Sequence, residues 1–143
     1  MLTEGTIIII DLDNFSEMIK QKGWSEWRPN DATALLTTLV HDLVNKWSAH
    51  VIWGLDEERG TEEVIIEIPL VEPSELKEDL EYIRRRLNEI GVGVSIVAIK
   101  DFVGVDRATQ RRDAYKSTPG RRRALKLLKA LKRRGGNAVL IVD

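Results

Sequence analysis

The chain has 143 residues, 43% of them hydrophobic and 31% charged, with a formal net charge of −1. That length supports a single domain with a sizeable core; no run approaches the ~20 apolar residues of a membrane helix, and "MLTEGT" lacks the basic-then-apolar pattern of a signal peptide. Zero cysteines exclude disulfides, thiolate metal sites and cysteine nucleophiles, so a cytoplasmic location is the expectation.

Thr6–Leu12 is a short continuous apolar run rich in Ile, which reads as a strand buried on both faces. Asp11 and Asp13 follow its four isoleucines. Phe15–Lys22 predicts a short helix stopped at Gly23, and "GWSEWRPND" a loop in which Asn30 or Asp31 caps the next helix. From Ala32 to Trp47 the apolar positions Leu35, Leu36, Leu39, Val40, Leu43, Val44 and Trp47 follow helical spacing. His50–Leu55 and Val64–Ile68 read as strands, and "DEERGTE" between them suits an antiparallel hairpin.

Pro69 and Pro73 close that strand, and Ser74 is the expected cap of a helix that turns Leu76, Leu80, Ile83, Leu87 and Ile90 inward before stopping at Gly91. Val92–Ile99 predicts a fourth strand, while Lys100–Ser117 carries no clear period. Thr118 and Pro119 start a helix running to about Arg134, ended by Gly135 and Gly136, and Ala138–Val142 is a final strand. The order β-α-β-β-α-β-α-β begins with the split pattern of ferredoxin-like folds. It predicts an α+β domain spanning 1–143, with a mainly antiparallel sheet and helices on one face.

In that topology the first strand lies centrally, beside the returning strand of the hairpin. Acids at its end can therefore meet the hairpin acids Asp56, Glu57, Glu58, Glu62 and Glu63. Carboxylates converging at a strand end are hard oxygen donors suited to Mg²⁺ or Mn²⁺ with nucleotide phosphates. The alternative is a solvated strand end and turn.

Several segments, in order, resemble the palm domains of GGDEF-type nucleotide cyclases. "IIIIDLDNF" is similar to the first-strand motif D-(I/L)-D-x-F, and Gly23 stands at the glycine of the G-H turn that follows. "GTEEVIIEIP" resembles G-G-(D/E)-E-F with its trailing apolar residues and proline, "VGVSIVAI" the strand V-T-V-S-I-G-V-A, and "LLKALKRRGGNAV" the closing A-L-Y-x-A-K-x-x-G-R-N-x-V. The resemblance spans nearly the whole chain apart from 100–123. It implies a metal-dependent palm protein acting on a nucleoside triphosphate, with Asp11, Asp13 and Glu62 as metal ligands and Glu62 and Glu63 as catalytic acids. Asn14, Phe15 and Lys132 would lie at the phosphates. A competing register places "GLDEE", Gly54 to Glu58, on the hairpin signature.

The chain also departs from the motif. The base-reading Asn of the family is Ile19, an Asp falls at Arg28, and the second signature glycine and the closing arginine are Thr61 and Gly136. A standard diguanylate cyclase is therefore not expected. Related palms include archaeal GTP cyclohydrolase III, with its ring-opening chemistry, small stand-alone archaeal cyclase-like proteins and CRISPR polymerase palms. Palm cyclases pair two subunits across the nucleotide, which implies a homodimer. A degenerate palm that binds nucleotide or nucleic acid, or serves in assembly, is the non-enzymatic alternative.

The net charge hides a division: nine Lys/Arg against nineteen Asp/Glu up to Ile99, and thirteen against four from Lys100 onward. Arg121, Arg122, Arg123, Lys126, Lys129, Arg133 and Arg134 on the last helix could face an anionic partner or nucleic acid, or form a solvated face. Rich Lys, Arg and Glu without Cys suits a thermophile. Trp24 and Trp27 could stack on a base or wedge their loop against the sheet.

Overall fold

The computed structural model describes residues 3–23, 30–104 and 108–143. In chain order the elements are β1 (Thr3–Leu12), α1 (Phe15–Lys22), α2 (Asp31–Trp47), β2 (His50–Trp53), β3 (Glu63–Pro69), α3 (Lys77–Glu89), β4 (Val94–Val103), α4 (Arg111–Lys116), α5 (Pro119–Arg133) and β5 (Val139–Val142). The five strands form one sheet in the order β2-β3-β1-β4-β5. β4 and β5 run parallel and the other neighbours antiparallel. The α+β class and the central place of β1 agree with the sequence reading. Trp24, Trp27 and Arg28 lie outside the described residues.

The helices do not share one face. Ile8 and Ile10 pack with Leu36, Leu39 and Val40 of α2 and Leu80, Ile83 and Leu87 of α3. Ile7 and Ile9 pack on the other face with Tyr115 of α4 and Ala124 and Leu128 of α5. Successive strand residues point to opposite faces, so a run of four isoleucines needs an apolar cover on both. The one-face expectation is corrected on that ground, and β1 already carried the signal.

Local chemistry sets the boundaries. Asn30 caps α2: its Oδ1 accepts from the Thr33 N–H at 2.9 Å, while Thr33 Oγ1 accepts from the Asn30 N–H at 3.0 Å. Ser74, expected as a cap, sits instead inside a short 3₁₀ turn, Pro73–Leu76, where the Glu75 carboxylate accepts from the Glu72 N–H at 2.8 Å. Ile90 falls at the C-cap of α3 and is partly exposed rather than buried. β4 runs four residues past Ile99 because β1 pairs with it all the way from Leu12↔Val94 to Thr3↔Val103. The unassigned stretch after it holds α4, a helix too short for periodicity to reveal.

Candidate functional site

β1 ends against the hairpin. Its register with β3 sets Asp11 directly opposite Glu63, and the Leu12 N–H donates to the Glu62 carbonyl at 2.9 Å. Glu63 rather than Glu62 is thus the hairpin acid facing the first aspartate across the sheet. Alternation puts Asp11 on the Ile7 and Ile9 face and Glu63 on the Ile65 face, which is the side covered by α4 and α5.

From α5, Lys132 reaches this strand end. Its Nζ lies 3.3 Å from Asp11 Oδ2, 3.1 Å from Asp13 Oδ1 and 3.3 Å from the Leu12 carbonyl. An ammonium has three N–H donors, and here three acceptors surround it.

Asp11 and Asp13 differ sharply in their surroundings. Asp13 accepts from the Ser95 hydroxyl at 2.7 Å, from the Asn137 N–H at 2.7 Å and from Lys132, so its oxygens are committed to β4, the closing loop and α5. Gly136 permits this closure. Its φ is +65°, and a Cβ there would stand 2.8 Å from Asp13 Oδ2. Asp11 meets Lys132, and its carboxyl is pushed up to about 6, chiefly by burial and also by the nearby Glu63 and Asp13, with Lys132 opposing.

Glu63 is held by α4. Arg111 pairs with both of its oxygens through Nε and Nη2, and the Tyr115 hydroxyl donates to Oε2 at 3.0 Å. The Arg111 guanidinium lies over the Tyr115 ring, 4.7 Å from its centroid. Burial, with Glu63 alongside, raises the Tyr115 hydroxyl well above its ordinary value, so it stays a neutral donor.

A cleft of about 830 Å³ opens at this end of the sheet, lined by Phe15, Trp53, Arg59, Glu62, Glu63, Thr109 and Arg111 among others. Asn14 is exposed, with a left-handed φ of 51°, and turns the chain into α1. Ile19 is buried. The acids of "GLDEE" have local roles: Asp56 Oδ1 accepts from the Glu58 and Arg59 N–H groups, and Glu57 pairs with His41 at 2.7 Å.

The basic helix is only partly a surface. Arg122, Arg123, Lys126, Lys129, Arg133 and Arg134 are exposed. Arg121 is not, and its place in an expected basic surface is corrected. It is 1% exposed and donates from Nε to Glu67 Oε2 at 2.9 Å, with Nη1 reaching Ser117 Oγ at 2.9 Å. The signal was Glu67 itself, a lone acid inside "VIIEIP", because a charge buried in a strand requires a paired cation. Arg111, Tyr115, Ser95 and Asn137 were also missed, since their partners lie between 48 and 124 residues away in sequence.

Among the described residues no three His, Asp or Glu side chains are gathered as a metal-holding group. A site of the other kind remains, in which one or two carboxylates hold Mg²⁺ and ligand phosphates complete its shell. Asp11 and Glu63, hard donors facing one another with Asp11 destabilised as an anion, fit that kind.

Among solved structures, the chain is similar to a microbial GGDEF domain whose structure describes its interaction with bis-(3,5)-cyclic di-GMP. The match has 20% identity over 99% of this chain and 78% of that one, with a TM-score of 0.60. It is also similar to the guanylyl cyclase Cya2, at 12% identity, 78% and 61% coverage and a TM-score of 0.41. The first of these establishes the GGDEF-like palm fold. No protein-family profile and no curated protein matches the sequence.

Proposed function

We propose that this chain is a nucleotide-binding palm protein of the nucleotidyl cyclase type, acting on a nucleoside triphosphate with a divalent metal. The observation that carries the reading is the register of Asp11 against Glu63 on a GGDEF-like fold, with Glu63 lining the cleft. Asp11 and Glu63 would hold the metal, Mg²⁺ or Mn²⁺, which when bound would offset phosphate charge and favour attack by a hydroxyl at phosphorus. Glu62, on the cleft wall, is a further acid within the same loop.

The chain's own residues do the rest. Lys132 holds Asp11 and Asp13 together against their mutual repulsion. Asp13 ties Lys132 to Ser95 and to the Asn137 backbone, which fixes the end of α5 against the sheet. Phe15 supplies an apolar wall at the entry to α1. With Ile19 buried at the family's base-reading position, the base is selected by other contacts.

Calorimetric titration of the protein with each nucleoside triphosphate and Mg²⁺ tests this. Binding to the wild type and a loss of about tenfold or more in Asp11→Asn are expected, as for removal of a charged ligand group. No binding, or binding indifferent to Asp11, refutes it. Incubation with Mn²⁺ followed by mass spectrometry separates cyclic, linear and ring-opened products.

A second reading is binding without turnover. It is favoured by the engagement of Glu63 with Arg111 and Tyr115 and by the lack of a third gathered acid among the described residues. Metal-dependent nucleotide binding with no product by mass spectrometry selects it.

A further inference from the structure

Lys132, the lysine matched to the family's closing motif, has three N–H donors and three protein acceptors at 3.1–3.3 Å. Lys132 is not among the residues that line the cleft, and a polyanion would have to break that arrangement to use it. The cleft wall itself carries cations of a different kind. Arg111 begins α4, in the segment the motif does not cover, and lines the cleft with Arg59 and Thr109.

Its two bonds to Glu63 use Nε and Nη2, leaving three of the five guanidinium N–H donors outside that pairing. The Arg111 side chain keeps 61% of its exposure, while Glu63 keeps 13%. The guanidinium is therefore anchored on its inner edge and open to solvent on its outer one. Tyr115 stacks beneath it and donates to the same glutamate, which fixes the plane of the fork. A planar, always-charged fork held in one orientation is the chemistry that binds phosphate oxygens in pairs.

We infer that Arg111 is the phosphate-chain residue of the cleft, with Glu63 and Tyr115 as its positioning residues, so that the site takes a di- or triphosphate through α4 rather than through Lys132 alone. This deepens the nucleotide reading of the same cleft and rests on it. The buried Arg121–Glu67 pair supports the arrangement from below. Arg121 ties Ser117 at the end of α4 to β3, and Glu67 Oε1 accepts from the Gly104 N–H at 3.3 Å, ahead of the same segment.

The test is calorimetric titration with inorganic tripolyphosphate in EDTA at low salt, which involves neither base nor metal. Wild type binds, and Arg111→Gln weakens binding about tenfold, the scale of charge-assisted hydrogen bonds. Arg111→Lys falls between the two, because it keeps the charge and loses the fork. Lys126→Gln, on the exposed basic face of α5, changes affinity less than about twofold, as expected of a solvent-screened charge outside the cleft lining. Circular dichroism checks that each variant is folded.

Absence of binding to the wild type, unchanged affinity in Arg111→Gln, or a larger loss in Lys126→Gln each overturns the assignment. Metal-dependent nucleotide binding that needs Asp11 but ignores Arg111 removes this inference and leaves the enzyme reading standing. Tripolyphosphate binding that needs Arg111, without any Mg²⁺-dependent nucleotide binding, does the reverse.

Discussion

Two Arg–Glu pairs stand four residues apart on one face of β3, and they are opposites. Arg121–Glu67 is sealed, each side chain 1% exposed. Arg111–Glu63 sits at the cleft with its arginine mostly in solvent. The same chemistry therefore serves two ends. A pair removed from water is costly to form and costlier to break, because either charge left alone is unsolvated. A pair at the surface holds position while gaining little, since water and salt screen it. The deep pair fixes where α4 and α5 sit, and the shallow one leaves the site a cation able to meet a ligand.

The sharpest break in that comparison is Arg121→Ala. It strands the Glu67 carboxylate in the core, and a loss of about 3–5 kcal/mol in urea unfolding is expected. The double change Arg121→Met with Glu67→Leu should recover most of it, because the pair is imperfect: Arg121 Nη2 is buried with no hydrogen-bond partner among the described residues. If the double variant is as unstable as the single one, the ion pair itself, rather than its desolvation, holds the fold.

Next is Asp13→Ala, which removes acceptors from Ser95, the Asn137 N–H and Lys132 together; a loss of about 2–3 kcal/mol is expected. The same assay on Asp11→Asn should give the opposite sign. The folded Asp11 carboxyl is raised from 3.8 to about 6, so the native state holds that proton more tightly than the unfolded chain. Its contribution is complete below the unfolded value and is lost as pH rises through the folded one. Measured in EDTA, Asp11→Asn should therefore gain roughly 2 kcal/mol over wild type at neutral pH compared with pH 3.5. An unvarying difference would mean that Asp11 is not destabilised by burial.

The smallest effect belongs to the shallow pair. Arg111→Gln should cost about 1 kcal/mol of unfolding free energy, above the range of fully exposed pairs because Glu63 is largely buried, but limited by the Tyr115 hydroxyl that still donates to it. A loss as large as that of Arg121→Ala would make Arg111 a structural residue and end the distinction between the two pairs.

The acids at the strand end were legible because a run of isoleucines closing on Asp11 and Asp13 is an unusual pattern, and the hairpin acids followed from the element order. Which hairpin acid meets Asp11 was not. Adjacent residues differ by a whole face of the sheet, so the choice of Glu63 over Glu62 needed the register. The motif ranked Asp11 above Asp13 as a ligand but did not give the reason the two differ, because the partners of Asp13 come from β4, α5 and the closing loop. The basic helix showed its period plainly, yet nothing local distinguished buried Arg121 from exposed Arg122.

Sequence by itself determined the elements other than α4 and the placement of acids at the first strand's end, since those follow from local periodicity and caps. Only the tertiary structure decided which charges became structure and which stayed available. That choice depends on burial and on partners distant in the chain: Glu67 and Asp13 were closed off by neighbours on other elements, while Asp11 stayed partly exposed and Arg111 kept surface on the cleft wall.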